Sequence, residues 1–313
     1  MKTMALGDSG VEVSELCLGA LPFGTKVGEQ DSFSLLDLYF EAGGRFIDTA
    51  NNYSMWHPGG KGGESEATIG KWMKARGNRH DLFIATKVGF NTAEVGRSLS
   101  RSTIESEIEG SLEKLGVDYV DLYYSHGDIR KDSLEETIET FDNLVKAGKV
   151  RHIGCSNHRA WRIEKARNVA MNNNWAAYCC VQQRFTYLRP RPAASFDPQV
   201  SANVDLLDYC GETPGVRMLA FSPLLGGSYD RSDKELPDQY QTVETEERIK
   251  RLRKVAGDCG STIHQTVYAW MIQRKPGIIP LSAPTSTEQL KENLGCLSVS
   301  LTEEQIDYLD EAV

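Results

Sequence analysis

The 313-residue chain has no uninterrupted apolar stretch near the ~20 residues that a bilayer-spanning helix needs. Its opening, MKTMALGDSGVEV, lacks the apolar segment and cleavage pattern of a secretion signal. The expected location is therefore the cytoplasm, with no membrane partner. Positive charge is in deficit: 35 Lys and Arg stand against 44 Asp and Glu, a net charge of −9. That argues against a nucleic-acid partner but leaves room for a local basic pocket. Paired C-x-x-C spacing is absent among the seven cysteines, Cys17, Cys155, Cys179, Cys180, Cys210, Cys259 and Cys296. Most sit in apolar runs, so reduced, buried thiols are expected, with neither disulfides nor a metal. Neither G-x-G-x-x-G nor a P-loop occurs, and the glycines at 59, 60, 62 and 63 follow a tyrosine within a loop. A nicotinamide cofactor, if used, is not held in the Rossmann manner.

What is present is alternation. Eight short apolar, β-branched runs are candidate strands: 16–20, 45–50, 82–88, 119–125, 150–156, 178–183, 217–222 and 277–282. Stripes of 3.6-residue period follow, as in 34–42, 104–115 and 134–145. Asp132-Ser133 before Glu135 and Glu136 suits a helix start, and Gly148 suits its end. Strand–helix units at this spacing predict parallel strands with right-handed crossovers. Eight units predict an α/β fold of the (β/α)8 TIM-barrel type, one domain over 1–313; an open doubly wound sheet is the alternative.

Four ionisable side chains lie just past apolar runs: Asp48 and Tyr53 in FIDTANNY, Lys87 in LFIATK and His126 in DLYYSH. In a barrel those strand ends converge on one site. A lysine beside a tyrosine stabilises the phenolate and strengthens the phenol as an acid, which suits carbonyl reduction. Taken singly, each has an ordinary reading: half of an ion pair, a loop aromatic, a core histidine. Of the other histidines, His80 lies in a polar turn and His264 in a helical stretch. His152 and His158 flank a strand and suit structural roles. His57 lies in the glycine-rich loop.

The ordered motifs CLGALPFG (17–24), FIDTANNY (46–53), GESEATIGKW (63–72), IATK (84–87), DLYYSHG (121–127), GKVRHIGCSNH (148–158), FSPL (221–224) and EQLKENLG (288–295) resemble the aldo-keto reductase family over nearly the whole chain. The resemblance implies a (β/α)8 barrel that binds NADP(H) or NAD(H) in extended form, without a metal. It implies that Tyr53 donates the proton to the substrate oxygen. Lys87 tunes Tyr53, Asp48 holds Lys87, and His126 orients the carbonyl. It also implies that Ser156 and Asn157 hold the nicotinamide carboxamide, with Gln182 beside them, and that Phe221 stacks on its ring. Ser222, Leu224 and Gly226 are then assigned to the pyrophosphate, and Gln289 and Asn293 to the adenine.

One stretch departs from the family pattern. After the last strand, where many members carry a basic residue for the 2′-phosphate of NADP, this chain has Ser282, Thr285 and Ser286 and no cation before Lys291. These hydroxyls supply no charge, so NAD or dual use enters the expectation. Met55, Trp56 and His57 are candidate substrate contacts, with Tyr187–Pro190 and the 226–242 loop as further ones. The expected substrate is a small aldehyde, ketone or sugar carbonyl, and no oligomeric state is implied. Two rivals accompany this reading: a cofactor-binding regulatory barrel with little turnover, and a lyase or isomerase using Lys87 as a Schiff-base amine.

Overall fold

The structure, a computed structural model, describes residues 1–92, 95–231 and 233–311. Strands β1 (Thr3–Ala5) and β2 (Glu12–Ser14) form an antiparallel hairpin. Then come β3 (Cys17–Gly19), α1 (Glu29–Glu41), β4 (Phe46–Asp48), α2 (Glu64–Arg76), β5 (Phe83–Val88) and α3 (Arg101–Leu115). These are followed by β6 (Val120–Ser125), α4 (Leu134–Lys146), β7 (Val150–Ser156), α5 (Ala160–Asn173), β8 (Tyr178–Arg184) and α6 (Val204–Glu212). The chain continues through β9 (Arg217–Phe221), α7 (Thr245–Cys259), α8 (Ile263–Gln273), β10 (Ile279–Ser282), α9 (Thr287–Leu294) and α10 (Glu303–Asp310).

Strands β3 to β10 pair in parallel and close in the order β10-β3-β4-β5-β6-β7-β8-β9. The closed barrel with its outer helices is the expected (β/α)8 fold, and the open-sheet alternative is excluded. Each of the eight sequence-predicted strands is a barrel strand. The stripe at 34–42 belongs to a helix that begins earlier, at Glu29. Ser133 caps α4 as its position suggests, accepting from Glu136 N at 3.3 Å.

The barrel interior is filled by Cys17, Phe46, Ala85, Leu122, Tyr124, Cys180, Leu219 and Ile279, and Leu6 and Val13 of the hairpin region join the same cluster. The hairpin was missed in the sequence because Thr3–Ala5 and Glu12–Ser14 mix polar and apolar residues and form no apolar run. Gly7 at its turn has φ +60°, and a Cβ there would meet Cys179 O at 2.3 Å, so the close approach requires glycine. All seven thiols are free, and six are buried. Among the described residues no helix is long and apolar enough to cross a membrane.

Candidate active site

Asp48 ends β4, Lys87 lies one residue before the end of β5, and His126 directly follows β6. The parallel register places Asp48 beside Ala85 and Lys87 beside Tyr124, so these side chains gather at the C-terminal rim. Tyr53 sits on the turn leaving β4, followed by Ser54 at φ +80°, a left-handed backbone that is costly for a non-glycine residue. The four side chains meet as the sequence predicts.

Lys87 is completely buried, and its three N–H groups all have partners. Nζ donates to Asp48 Oδ1 at 2.5 Å, to Thr49 O at 2.7 Å and to Tyr53 Oη at 2.8 Å. An ammonium group has only three hydrogens. The phenol oxygen therefore receives a hydrogen from Lys87, and its own O–H is left for the cavity that Tyr53 lines.

Burial lowers the affinity of Lys87 for its proton, but the adjacent Asp48 and Tyr53 outweigh it, and the amine is held more firmly charged than usual. Burial pushes the Asp48 carboxyl up, opposed by Lys87 and by a hydrogen bond from Gln182. The sequence-based expectation that Tyr53 is a strengthened acid needs correction. Burial pushes its phenol up to about 12, and the pull of Lys87 offsets this only in part. Desolvation, invisible in sequence, wins over the nearby cation. Tyr53 is therefore fully protonated at neutral pH.

His126 is pushed well below the usual imidazole range, first by burial and then by Lys87, so it is neutral. Phe90 stacks on it at 4.3 Å with 19° between planes. Its Nδ1 is buried without a partner among the described residues. The other ring nitrogen is the one able to serve the cavity.

That cavity, about 870 Å³, runs from Tyr53, Trp56 and His126 past Ser156, Asn157, Gln182 and Phe221 to Gln289 and Asn293. Ser222, Leu224, Gly226 and Thr285 also line it. Several assignments need correction. Ser282 is fully buried and does not line the cavity; its Oγ accepts from Asn293 Nδ2 at 2.9 Å. Ser286 caps α9, accepting from Gln289 N at 3.3 Å, and also lies off the wall. Thr285 reaches the wall, but Gln289 Oε1 already accepts from its N–H at 2.8 Å and from its hydroxyl at 3.1 Å.

Asn157 is committed to the protein. Its Nδ2 donates to His126 O at 2.9 Å and to Ser156 Oγ at 3.1 Å, and its Oδ1 accepts from Val200 N at 3.0 Å.

Of the substrate candidates, Trp56 lines the cavity and is 60% exposed. Met55 and His57 do not line it, because the turn directs them elsewhere; His57 is exposed beside Pro58. The Tyr187–Pro190 stretch also stays away: Tyr187 and Leu188 are buried, and Arg189 lies 3.7 Å from Glu244. The 226–242 loop does reach the cavity, through Gly226, Gly227, Arg231 and Lys234; its Ser232 lies outside the described residues.

Sequence reasoning missed Lys26, Leu21, Phe90, Arg231, Lys234 and Glu292 as wall residues. Phe90, three residues past Lys87 at a strand exit, carried a positional signal. Arg231 and Lys234 belong to the 226–242 loop already singled out as a whole, whereas Lys26 carried no signal.

Barrel and site together define a class, an oxidoreductase with a buried ammonium–phenol pair at its strand ends. Comparison with known proteins gives the family. The model of the Aldo/keto reductase family matches residues 15–313. The chain belongs to the aldo/keto reductase family and is an NAD(P)-dependent oxidoreductase. It is similar to norsolorinic acid reductase stcV of Emericella nidulans, 29% identical over 97% of this chain and 79% of that protein. It is also similar to aryl-alcohol dehydrogenase [NADP(+)] of Phanerodontia chrysosporium, 30% identical over 97% of this chain and 83% of the relative. Among solved structures, a thermostable aldo-keto reductase in complex with the inhibitor epalrestat superposes with a TM-score of 0.78. That structure is 28% identical and covers 99% of both chains.

Proposed function

We propose that the chain works as one barrel unit that reduces an aldehyde or ketone reversibly, with Tyr53 as the proton donor. The observation that carries this is the hydrogen from Lys87 to Tyr53 Oη. It leaves the phenolic O–H as the transferable hydrogen and places a cation against the oxygen that must carry charge once the proton has gone. Asp48 keeps Lys87 in place and charged. Neutral His126 donates a hydrogen bond to the carbonyl oxygen and fixes its approach to Tyr53. In the oxidative direction the phenolate of Tyr53 takes the proton back.

The residues present fit a nicotinamide dinucleotide. Ser156 and Gln182 face the reacting end, and Phe221 offers an aromatic face beside them. Lys234 donates to Gly226 O at 2.8 Å and Arg231, paired with Asp233, lies against Gly227, at a turn where φ is +67° and +91° and the backbone can approach a pyrophosphate; Lys26 lines the same cavity. When bound, the cofactor supplies the hydride. At the far end Thr285, Gln289, Glu292 and Asn293 bring one carboxylate and no cation. This favours an uncharged ribose, and hence NADH at least as well as NADPH.

The cavity wall includes the exposed apolar side chains of Leu21 and Trp56, with Phe90 stacked on His126. Such apolar and aromatic lining favours an aromatic carbonyl, in keeping with the aryl-alcohol dehydrogenase among the relatives. An exposed indole also stacks on sugar faces, so aldose substrates belong in the same panel. The Schiff-base alternative fits poorly, since Lys87 is charged and fully engaged and offers no free amine pair. The test is fluorescence titration with NADH and NADPH, then turnover of 4-nitrobenzaldehyde, aryl ketones and aldoses. Saturable binding with aldehyde turnover supports the reading. Binding without turnover on any carbonyl favours the regulatory barrel, and binding of neither nucleotide removes both.

A further inference from the structure

Gln182 of β8 and Asp48 of β4 stand on opposite sides of the barrel, four strands apart in either direction. Gln182 Nε2 donates to Asp48 Oδ2 at 2.8 Å across the interior, and both side chains are buried. The other oxygen of Asp48 accepts from Lys87. A carboxylate can only accept, so the amide of Gln182 has no choice of orientation. Its NH2 must face Asp48, and its carbonyl oxygen must face away. No described group donates to that oxygen, and Gln182 borders the cavity.

Ser156 is the register partner of Gln182 on β7. Its Oγ accepts from Asn157 Nδ2, which leaves the hydroxyl hydrogen unused. The wall thus offers one acceptor and one donor side by side. That pair is the complement of a primary carboxamide, with its N–H and its carbonyl oxygen. An amide of Gln182 turned the other way would present two donors and lose this complementarity.

We propose that Asp48 is a positioning residue for cofactor recognition. By locking the amide of Gln182, it makes the cavity read the N–H of the nicotinamide carboxamide. The inference rests on the dinucleotide reading above. It gives Asp48 a second task, separate from holding Lys87.

The test is a set of dissociation constants from quenching of protein fluorescence. The probes are the oxidised dinucleotide in its tighter-binding form, NAD or NADP, and the matching 3-acetylpyridine analogue. In the analogue a methyl group replaces the amide NH2, so the N–H is lost while the carbonyl stays. The wild-type protein should bind the analogue about tenfold more weakly, because the Gln182 oxygen is left unpaired. Gln182→Leu should bind the parent more weakly and the two probes within about twofold of each other.

Asp48→Asn is the decisive variant. Lys87 keeps the amide oxygen of the new side chain, so that side chain's NH2 faces Gln182 and turns its amide around. The preference for the parent should then fall to about threefold or less, although Gln182 is intact. Should Gln182→Leu fail to fold, as judged by circular dichroism, Asp48→Asn decides alone. Equal binding of both probes by the wild type overturns the proposal, as does an unchanged preference in Asp48→Asn. Binding of neither probe by the wild type overturns the dinucleotide reading itself.

Discussion

Lys87 Nζ donates a hydrogen to Tyr53 Oη over 2.8 Å, with its other two hydrogens on Asp48 and Thr49. The donor side of the pair is thereby fixed. The lysine is the cation and the phenol keeps a hydrogen to give away.

Lys87→Met leaves Asp48 buried and charged without its cation. Breaking a buried pair from one side costs about 3–5 kcal/mol. The urea midpoint should fall accordingly, and aldehyde reduction should be crippled. The double variant Asp48→Asn, Lys87→Met should recover much of the stability and none of the activity. Recovery of both would mean that the pair holds the fold and takes no part in turnover.

His126 gives a pH signature. In the unfolded chain an imidazole takes up a proton as pH falls through about 6.5. In the folded protein burial and Lys87 hold that uptake to much lower pH. Below pH ~6.5 the unfolded state therefore binds more protons, and stability falls as pH falls. Between pH 7 and pH 5 the wild type should lose about 2 kcal/mol more than His126→Gln, measured by urea unfolding. Equal losses would place the histidine in a solvated setting. Reduction should likewise show no inflection near pH 6.5.

The proposed nucleotide preference rests on the far end of the cavity. Thr285 lines it, with Glu292 and no cation among the described wall residues nearby on α9. Thr285→Arg should raise the kcat/KM ratio of NADPH to NADH by about tenfold or more. An unmoved ratio would place the ribose elsewhere.

The barrel was legible because each strand is a short apolar run and each stripe has a helical period. The convergence of the candidate site was legible where its side chains sit on strand ends, as with Asp48, Lys87 and His126. What was lost was tertiary. The β1–β2 hairpin, TMA and EVS, offers no apolar run, unlike the equally short β3 and β4. Ser282 and Ser286 lie next to the cavity in sequence, yet one points into the barrel wall and the other caps a helix. Met55 and His57 flank Trp56, but the turn brings only the tryptophan to the cavity. Arg231 and Lys234 sit in the 226–242 loop, but which of its side chains reach the cavity is set only by the fold. The net push on Tyr53 depends on desolvation, which follows from packing and not from neighbours in sequence.

The most direct test of the account is Tyr53→Phe, assayed for 4-nitrobenzaldehyde reduction and, separately, for NADH and NADPH binding by fluorescence. Removing one hydroxyl should cut turnover by about 100- to 10,000-fold and leave nucleotide affinity unchanged. Turnover close to wild type in the phenylalanine variant would contradict the assignment of the proton to Tyr53.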